Sequence, residues 1–239
     1  MRNITEFEDF KSKVQKLDEE IKKHYEKYEI ENENEAKIIR DGIVNIENYY
    51  NSPVKILWIL KEPYDKDGEG EGGFSITEDL FNKPELIKID AAKGTWIPII
   101  YTSYAILKGF MKYEDMDDIS DENKMANILK HIAFMNVSKF AGATTSNNNL
   151  ISKAYQEHKE ILLKQIEVYN PDIIIGGNTL LNFIDDLHLQ NKIYKEYDYW
   201  VENEKVYIHA DHPSRKKGID WYEEYTDAIV TIAKENLKK

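Results

Sequence analysis

The sequence predicts an α/β protein, a three-layer α/β/α sandwich with a central four-stranded, mainly parallel sheet. Three observations carry this. Nearly continuous apolar runs at 54–60, 132–137, 172–177 and 206–210 have the length of strands and lack the alternation of a half-exposed sheet. Helical patterns stand between the runs, as the crossovers of a parallel sheet require. Polar residues and glycines follow the runs directly, where open α/β sheets bind ligands. With no linker or internal repeat, residues 1–239 are read as a single domain, with 1–50 as an N-terminal helical extension packed on it.

The elements follow in chain order. Residues 5–28 carry Phe7, Phe10, Val14, Leu17, Ile21 and Tyr25 at three- and four-residue steps, the pattern of an amphipathic helix. Residues 31–50 repeat it with Ala36, Ile39, Ile43, Ile46 and Tyr50, which predicts a second helix. The run Val54–Leu60 lies between Pro53 and Pro63 and leads into a loop with Gly68, Gly70, Gly72 and Gly73. That loop contains G-x-G-x-G-G but not the spacing or strand-to-helix setting of a dinucleotide fingerprint, and Glu69 and Glu71 would repel a phosphate. Thr95–Phe110 reads as an apolar helix with Pro98 in its first turn. Residues 115–121 form an acidic connector, and Met125–Lys130 is helical. A polar loop, Ser138–Asn149, leads to an amphipathic helix over Ile151–Tyr169, closed by Asn170-Pro171. Asn178 or Thr179 caps a helix running to Leu187, and Trp221–Leu237 closes the chain as a helix.

Composition bounds the function. At 41% hydrophobic the chain has material for a core. The absence of cysteine excludes disulfides, thiolate zinc sites and iron–sulfur clusters. The first residues have no apolar stretch of a signal peptide, and no run reaches the roughly 20 residues that span a bilayer, so a cytoplasmic protein without membrane contact is expected. The formal charge of −12 opposes non-specific attraction to phosphate backbones, although a local basic patch on an acidic body remains compatible with it.

The residues that follow the four runs are Glu62 and Asp65, then Asn136, then Gly176, Gly177 and Asn178, then Asp211, His212 and Ser214. Each alone has a bland explanation as a turn or a cap. His209, Asp211 and His212, with Glu62 and Asp65, also raise a metal hydrolase, but alternate strand residues point to opposite faces, so His209 and His212 need not share a site.

Taken in order, the set resembles the uracil-DNA glycosylase superfamily over roughly residues 53–230. Leu60-Lys61-Glu62-Pro63-Tyr64-Asp65 stands where one branch has G-Q-D-P-Y-H, and Phe74-Ser75 stands where the family's stacking Phe-Ser follows a glycine-rich loop. Asn136-Val137-Ser138-Lys139 is similar to N-V-V-K, Pro171–Gly176 to P-x-x-I-I-x-x-G, and His212-Pro213-Ser214 to H-P-S. The departures are Glu62 for aspartate, Asp65 for histidine, and Leu60-Lys61 for glycine and a polar residue. Without cysteine this is not the iron–sulfur branch.

The resemblance implies hydrolysis of the N-glycosidic bond of an extruded base in DNA, without metal or cofactor. It assigns Glu62 to stabilising the sugar cation and orienting a water, with Asp65 as the alternative carboxylate. His212 would donate a hydrogen bond to the base oxygen as charge develops. Asn136 would read the base edge, Phe74 would stack on its face, and Tyr64 would line the base site. Lys139, Ser214, Arg215, Lys216 and Lys217 would contact DNA. The alternative is a binding module that keeps the fold and pocket for a nucleotide or other ligand without the reaction.

Overall fold

A computed structural model describes residues 4–31, 37–65, 70–82, 94–119, 123–143, 145–215 and 220–238. The elements are α1 (Ile4–Glu31), β1 (Gly42–Ile43), α2 (Ile46–Asn51), β2 (Ile56–Leu60), α3 (Trp96–Leu107), β3 (Ala133–Asn136), α4 (Asn148–Tyr169), β4 (Ile173–Gly177), β5 (Ile193–Tyr194), β6 (Asp198–Glu202), β7 (Lys205–Ala210) and α5 (Trp221–Asn236). A π-helical turn covers Ile76–Phe81, and short 3-10 segments cover Tyr113–Asp115, Asn123–His131 and Leu180–Asn182.

The sheet is mixed and has seven strands in the order β1-β3-β2-β4-β7-β6-β5. The four runs read from the sequence are its parallel centre, β3-β2-β4-β7. The expected four-stranded sheet is therefore too small, because antiparallel strands extend both edges. β6 escapes notice because it pairs with β7 through a two-residue turn at Asn203-Glu204, both at positive φ, with no glycine or proline to mark it.

Strand alternation sorts the centre into two cores. Ile56, Trp58 and Leu60 face one core with Phe134, Ile173, Ile175 and Ile208, covered by α3 and α5. Leu57 and Ile59 face the other with Met135, Ile174 and Tyr207, covered by α1 and α4. Ile56, Leu57 and Ile59 have no exposed surface, and burial of each side chain stabilises the fold by about 1.5–3 kcal/mol. Helices on both faces explain why these strands read as unbroken apolar runs.

The helix predicted over residues 31–50 is a correction. Among the described residues of that span, Glu31 ends α1, residues 37–41 are not helical, Gly42–Ile43 is an edge strand and helix resumes at Ile46–Asn51; residues 32–36, with Ala36, lie outside the described residues. Gly42 takes φ +138, outside the helical region, and a Cβ there would lie 2.9 Å from the Tyr169 hydroxyl. The helix restarts where the Asn45 side chain caps it, accepting from the Asn48 N–H at 2.9 Å. The helix predicted from Asn178 or Thr179 to Leu187 is likewise a 3-10 segment followed by turns, since Thr179 makes no cap and donates its hydroxyl to the Ile59 carbonyl at 2.7 Å. Met125–Lys130 is 3-10 rather than α-helical. Among the described residues no helix is long and apolar enough to cross a membrane.

Candidate functional site

A cavity of about 580 Å³ lies beyond the carboxyl ends of β3, β2 and β4, within the range of small-ligand sites. Parallel strands end in register there: Leu60 pairs with Asn136, and Ile59 with Gly176. The chains leaving β2 and β3 stay paired through Ser138 N–H to the Lys61 carbonyl at 2.9 Å and Gly142 N–H to the Pro63 carbonyl at 2.8 Å. This continuation brings the Glu62 side chain against Gly142, where a Cβ would overlap the Glu62 Cγ.

Glu62, Tyr64, Phe74, Asn136, His212, Ser214 and Arg215 line this one cavity. Phe74 is held there by the N-terminal segment: Arg40 N–H donates to the Phe74 carbonyl at 2.9 Å and Gly73 N–H to the Ile38 carbonyl at 3.1 Å. Ser75 accepts from Glu78 N–H at 3.1 Å and fixes the following turn. His212 is held from below by Gly177, where a Cβ would overlap Leu60 and lie 3.0 Å from Pro213 Cδ.

The electrostatics divide the lining into a basic carboxylate and neutral donors. Burial pushes the Glu62 carboxyl above its usual range, while a hydrogen bond from Ser146 and the Lys61 charge oppose the shift. One Glu62 oxygen, Oε2, is buried with no partner among the described residues. Burial, with the Lys61 charge second, lowers His212 to about 4, so the ring is neutral near pH 7. Its Nδ1 accepts from the Ser214 N–H at 3.3 Å, with the Ser214 hydroxyl at 2.8 Å, which assigns the proton to Nε2 as a donor. Asn136 is 1% exposed, and its Nδ2 has no partner among the described residues. Its backbone N–H donates to Asp41 Oδ2 at 2.7 Å.

Three expected residues stand elsewhere or differently. Lys139 is a correction: it is 1% exposed, and its ammonium donates to both Asp41 oxygens at 2.7 and 2.8 Å and to Gln165 at 3.1 Å, so it is no DNA contact. Asp65 does not line the cavity; its Oδ2 accepts from the Gly72 N–H at 3.2 Å and closes the loop. Arg215 reaches the cavity, but its guanidinium pairs with Asp211 at 3.0 Å. Lys216 and Lys217 lie outside the described residues.

The sequence reading missed Trp96, Thr145 and Ser146, which also line the cavity. Trp96 opens α3 and packs edge-on against Phe81 and Phe134. None of the three follows a strand, so the strand-end rule does not reach them. His209 and Asp211 line a separate cavity, and among the described residues no group of three or more His, Asp or Glu is placed to hold a metal ion.

No protein-family model matches the chain, and no curated protein matches it.

Proposed function

We propose that the chain binds an extruded uracil or damaged base in this cavity and hydrolyses its N-glycosidic bond, as a divergent uracil-DNA glycosylase-like enzyme without metal or cofactor. The observation that carries the reading is the pairing of a neutral imidazole donor, His212, with an unpartnered buried amide, Asn136, in one cavity. A uracil-type edge offers two carbonyl acceptors around a ring N–H. The Asn136 amide matches a neighbouring carbonyl and N–H together, and His212 Nε2–H donates to the second carbonyl. Phe74 supplies the stacking face.

In the reaction the C1′–N bond breaks and its electron pair leaves with the base. His212 stabilises the developing oxyanion without transferring its proton, a role suited to a ring with a low pKa. The positive sugar is met by the Glu62 carboxylate. Glu62 then accepts a proton as water adds to C1′, and its upward shift makes it a better base for that step. The products are the free base and an abasic sugar.

The test is base release from oligonucleotides containing uracil, hypoxanthine or xanthine, single- and double-stranded. Release that vanishes in His212→Asn and Glu62→Gln supports the reading; no release from any substrate defeats it.

A second reading, binding of a nucleotide or related ligand without the reaction, is favoured by the state of the basic residues. Lys139 is buried on Asp41, Lys61 Nζ donates to Asn148 at 2.9 Å, and Arg215 is paired with Asp211. Saturable binding of uridine nucleotides, with no turnover and no salt-dependent DNA affinity, selects it.

A further inference from the structure

A second cavity, of about 770 Å³, lies on the other side of Asn178, between β7, the β5–β6 segment and α5. Its character is opposite. Five carboxylates line it, from Glu196, Asp198, Asp211, Glu224 and Asp227, and no lysine or arginine does so among the described residues. Asp198 is paired with Lys192 at 3.0 Å, Asp211 with Arg215 at 3.0 Å, and Asp227 accepts from the Tyr113 N–H at 2.8 Å. Among the described residues, no side-chain partner is shown for Glu196 or Glu224, and these two remain to answer a positive charge.

Carboxylates alone would mark only a solvated face. Here they surround aromatic rings, Tyr194, Tyr197 and Trp221, whose faces attract cations. Trp221 is 4% exposed, and its indole N–H has no acceptor among the described residues. The Nδ1 of His209, on the same lining, is also buried with no partner among the described residues. A buried N–H is rarely left unanswered. The cavity therefore has an unmet donor at Trp221 and an unmet ring nitrogen at His209, inside a negatively charged aromatic wall. Burial lowers the His209 pKa, which leaves its ring neutral and open to a donor.

We propose that this cavity binds a small organic cation that also carries a neutral hydrogen-bond acceptor, its charged group against Glu196, Glu224 and the tyrosine rings and its acceptor on the Trp221 N–H. Arginine amides and amino sugars share this chemistry. A polyamine has the charge but, fully protonated, nothing to accept from Trp221, and a neutral sugar has the acceptor without the charge. The site is independent of base hydrolysis, since neither His212 nor Glu62 belongs to it.

The experiment is calorimetric titration of the full chain with L-argininamide, glucosamine, spermidine and N-acetylglucosamine at low and high salt. Argininamide or glucosamine is expected to bind saturably, whichever does so identifying the source of the cation. Spermidine is expected to bind more weakly and N-acetylglucosamine not at all. Removing two charges in Glu196→Gln/Glu224→Gln should weaken binding by about tenfold or more. Tyr194→Ala, at a side chain 75% exposed and so safe for folding, should weaken it by about threefold. Trp221→Phe keeps the ring and loses only the donor; it should narrow the preference for argininamide or glucosamine over spermidine. The proposal is overturned if neither acceptor-bearing cation binds, if the neutral sugar binds as well as they do, or if the glutamine pair and Tyr194→Ala both leave affinity within about twofold.

Discussion

The two cavities share Asn178 as a common wall and yet differ in nearly every chemical respect. The first collects a neutral histidine, a buried amide, one desolvated carboxylate and the reach of Lys61 and Arg215. The second collects five carboxylates and three aromatic rings. Neighbouring residues are divided between them: Asp211 lines the second and His212 the first, as expected of an extended chain leaving β7, whose successive side chains point to opposite sides. Arg215 lines the first while pairing with the acid of the second. One short segment can therefore serve two sites, provided its alternation is kept. The comparison also separates kinds of burial. In the first cavity burial tunes groups that would handle charge arising in a reaction; in the second a fixed charge is matched to a ligand that brings its own.

The largest test of this division is Glu62→Gln. If the first cavity alone carries chemistry, base release falls by about 10²–10⁴-fold while argininamide titration is unchanged; loss of both in a folded protein would break the separation. Gly142→Ala sharpens it further. The added methyl overlaps the Glu62 Cγ, so the carboxylate must move. A displacement on the order of 1 Å costs roughly 100-fold in base release, and single-turnover rates against unfolding curves show whether activity falls more than stability.

The pH dependence comes next. His212 in the fold has its pKa lowered from 6.5 to about 4, so the unfolded chain binds more protons between those values. Its contribution is fully present above about 6.5 and is lost as pH falls from there toward 4. Denaturant unfolding at a series of pH values should show a shallower fall over that window in His212→Asn than in the wild type. A difference of at most roughly 3 kcal/mol is expected. Asp18, raised to about 6 chiefly by burial, works in the opposite direction in both proteins and cancels in the difference.

The smallest expected effect belongs to Arg215→Gln. If Arg215 leaves Asp211 for a phosphate on binding, the slope of log affinity against log salt falls by about 1 without a change in base preference. An unchanged slope leaves the guanidinium as a tie between the two cavities.

The central strands were legible because they are buried on both faces, so their sequences carry no alternation to misread. Glu62, Asn136 and His212 were legible for a related reason: a polar residue ending such a run stands where side chains converge. The edges were not. β5 is two residues long with both side chains exposed, and β1 begins at a glycine whose missing side chain leaves room for the Tyr169 hydroxyl, far away in the chain. Lys139 was misread because a lysine in a polar loop looks solvated. Its partner, Asp41, is almost 100 residues earlier, and only the fold makes them neighbours.

That buried pair has a consequence for where the working unit begins. Asp41 neutralises Lys139 and, through the same carboxylate, holds the backbone N–H of Asn136; the residues just before it hydrogen-bond the backbone on either side of Phe74. A shortened chain starting at residue 51 would lose the anion, the clamp on the Asn136 backbone and the support of the Phe74 backbone together. Stranding one buried ion costs about 3–5 kcal/mol, a large share of what keeps an ordinary domain folded. Any expressed fragment or fusion junction that aims to keep the cavity intact must therefore leave residues 37–41 in place.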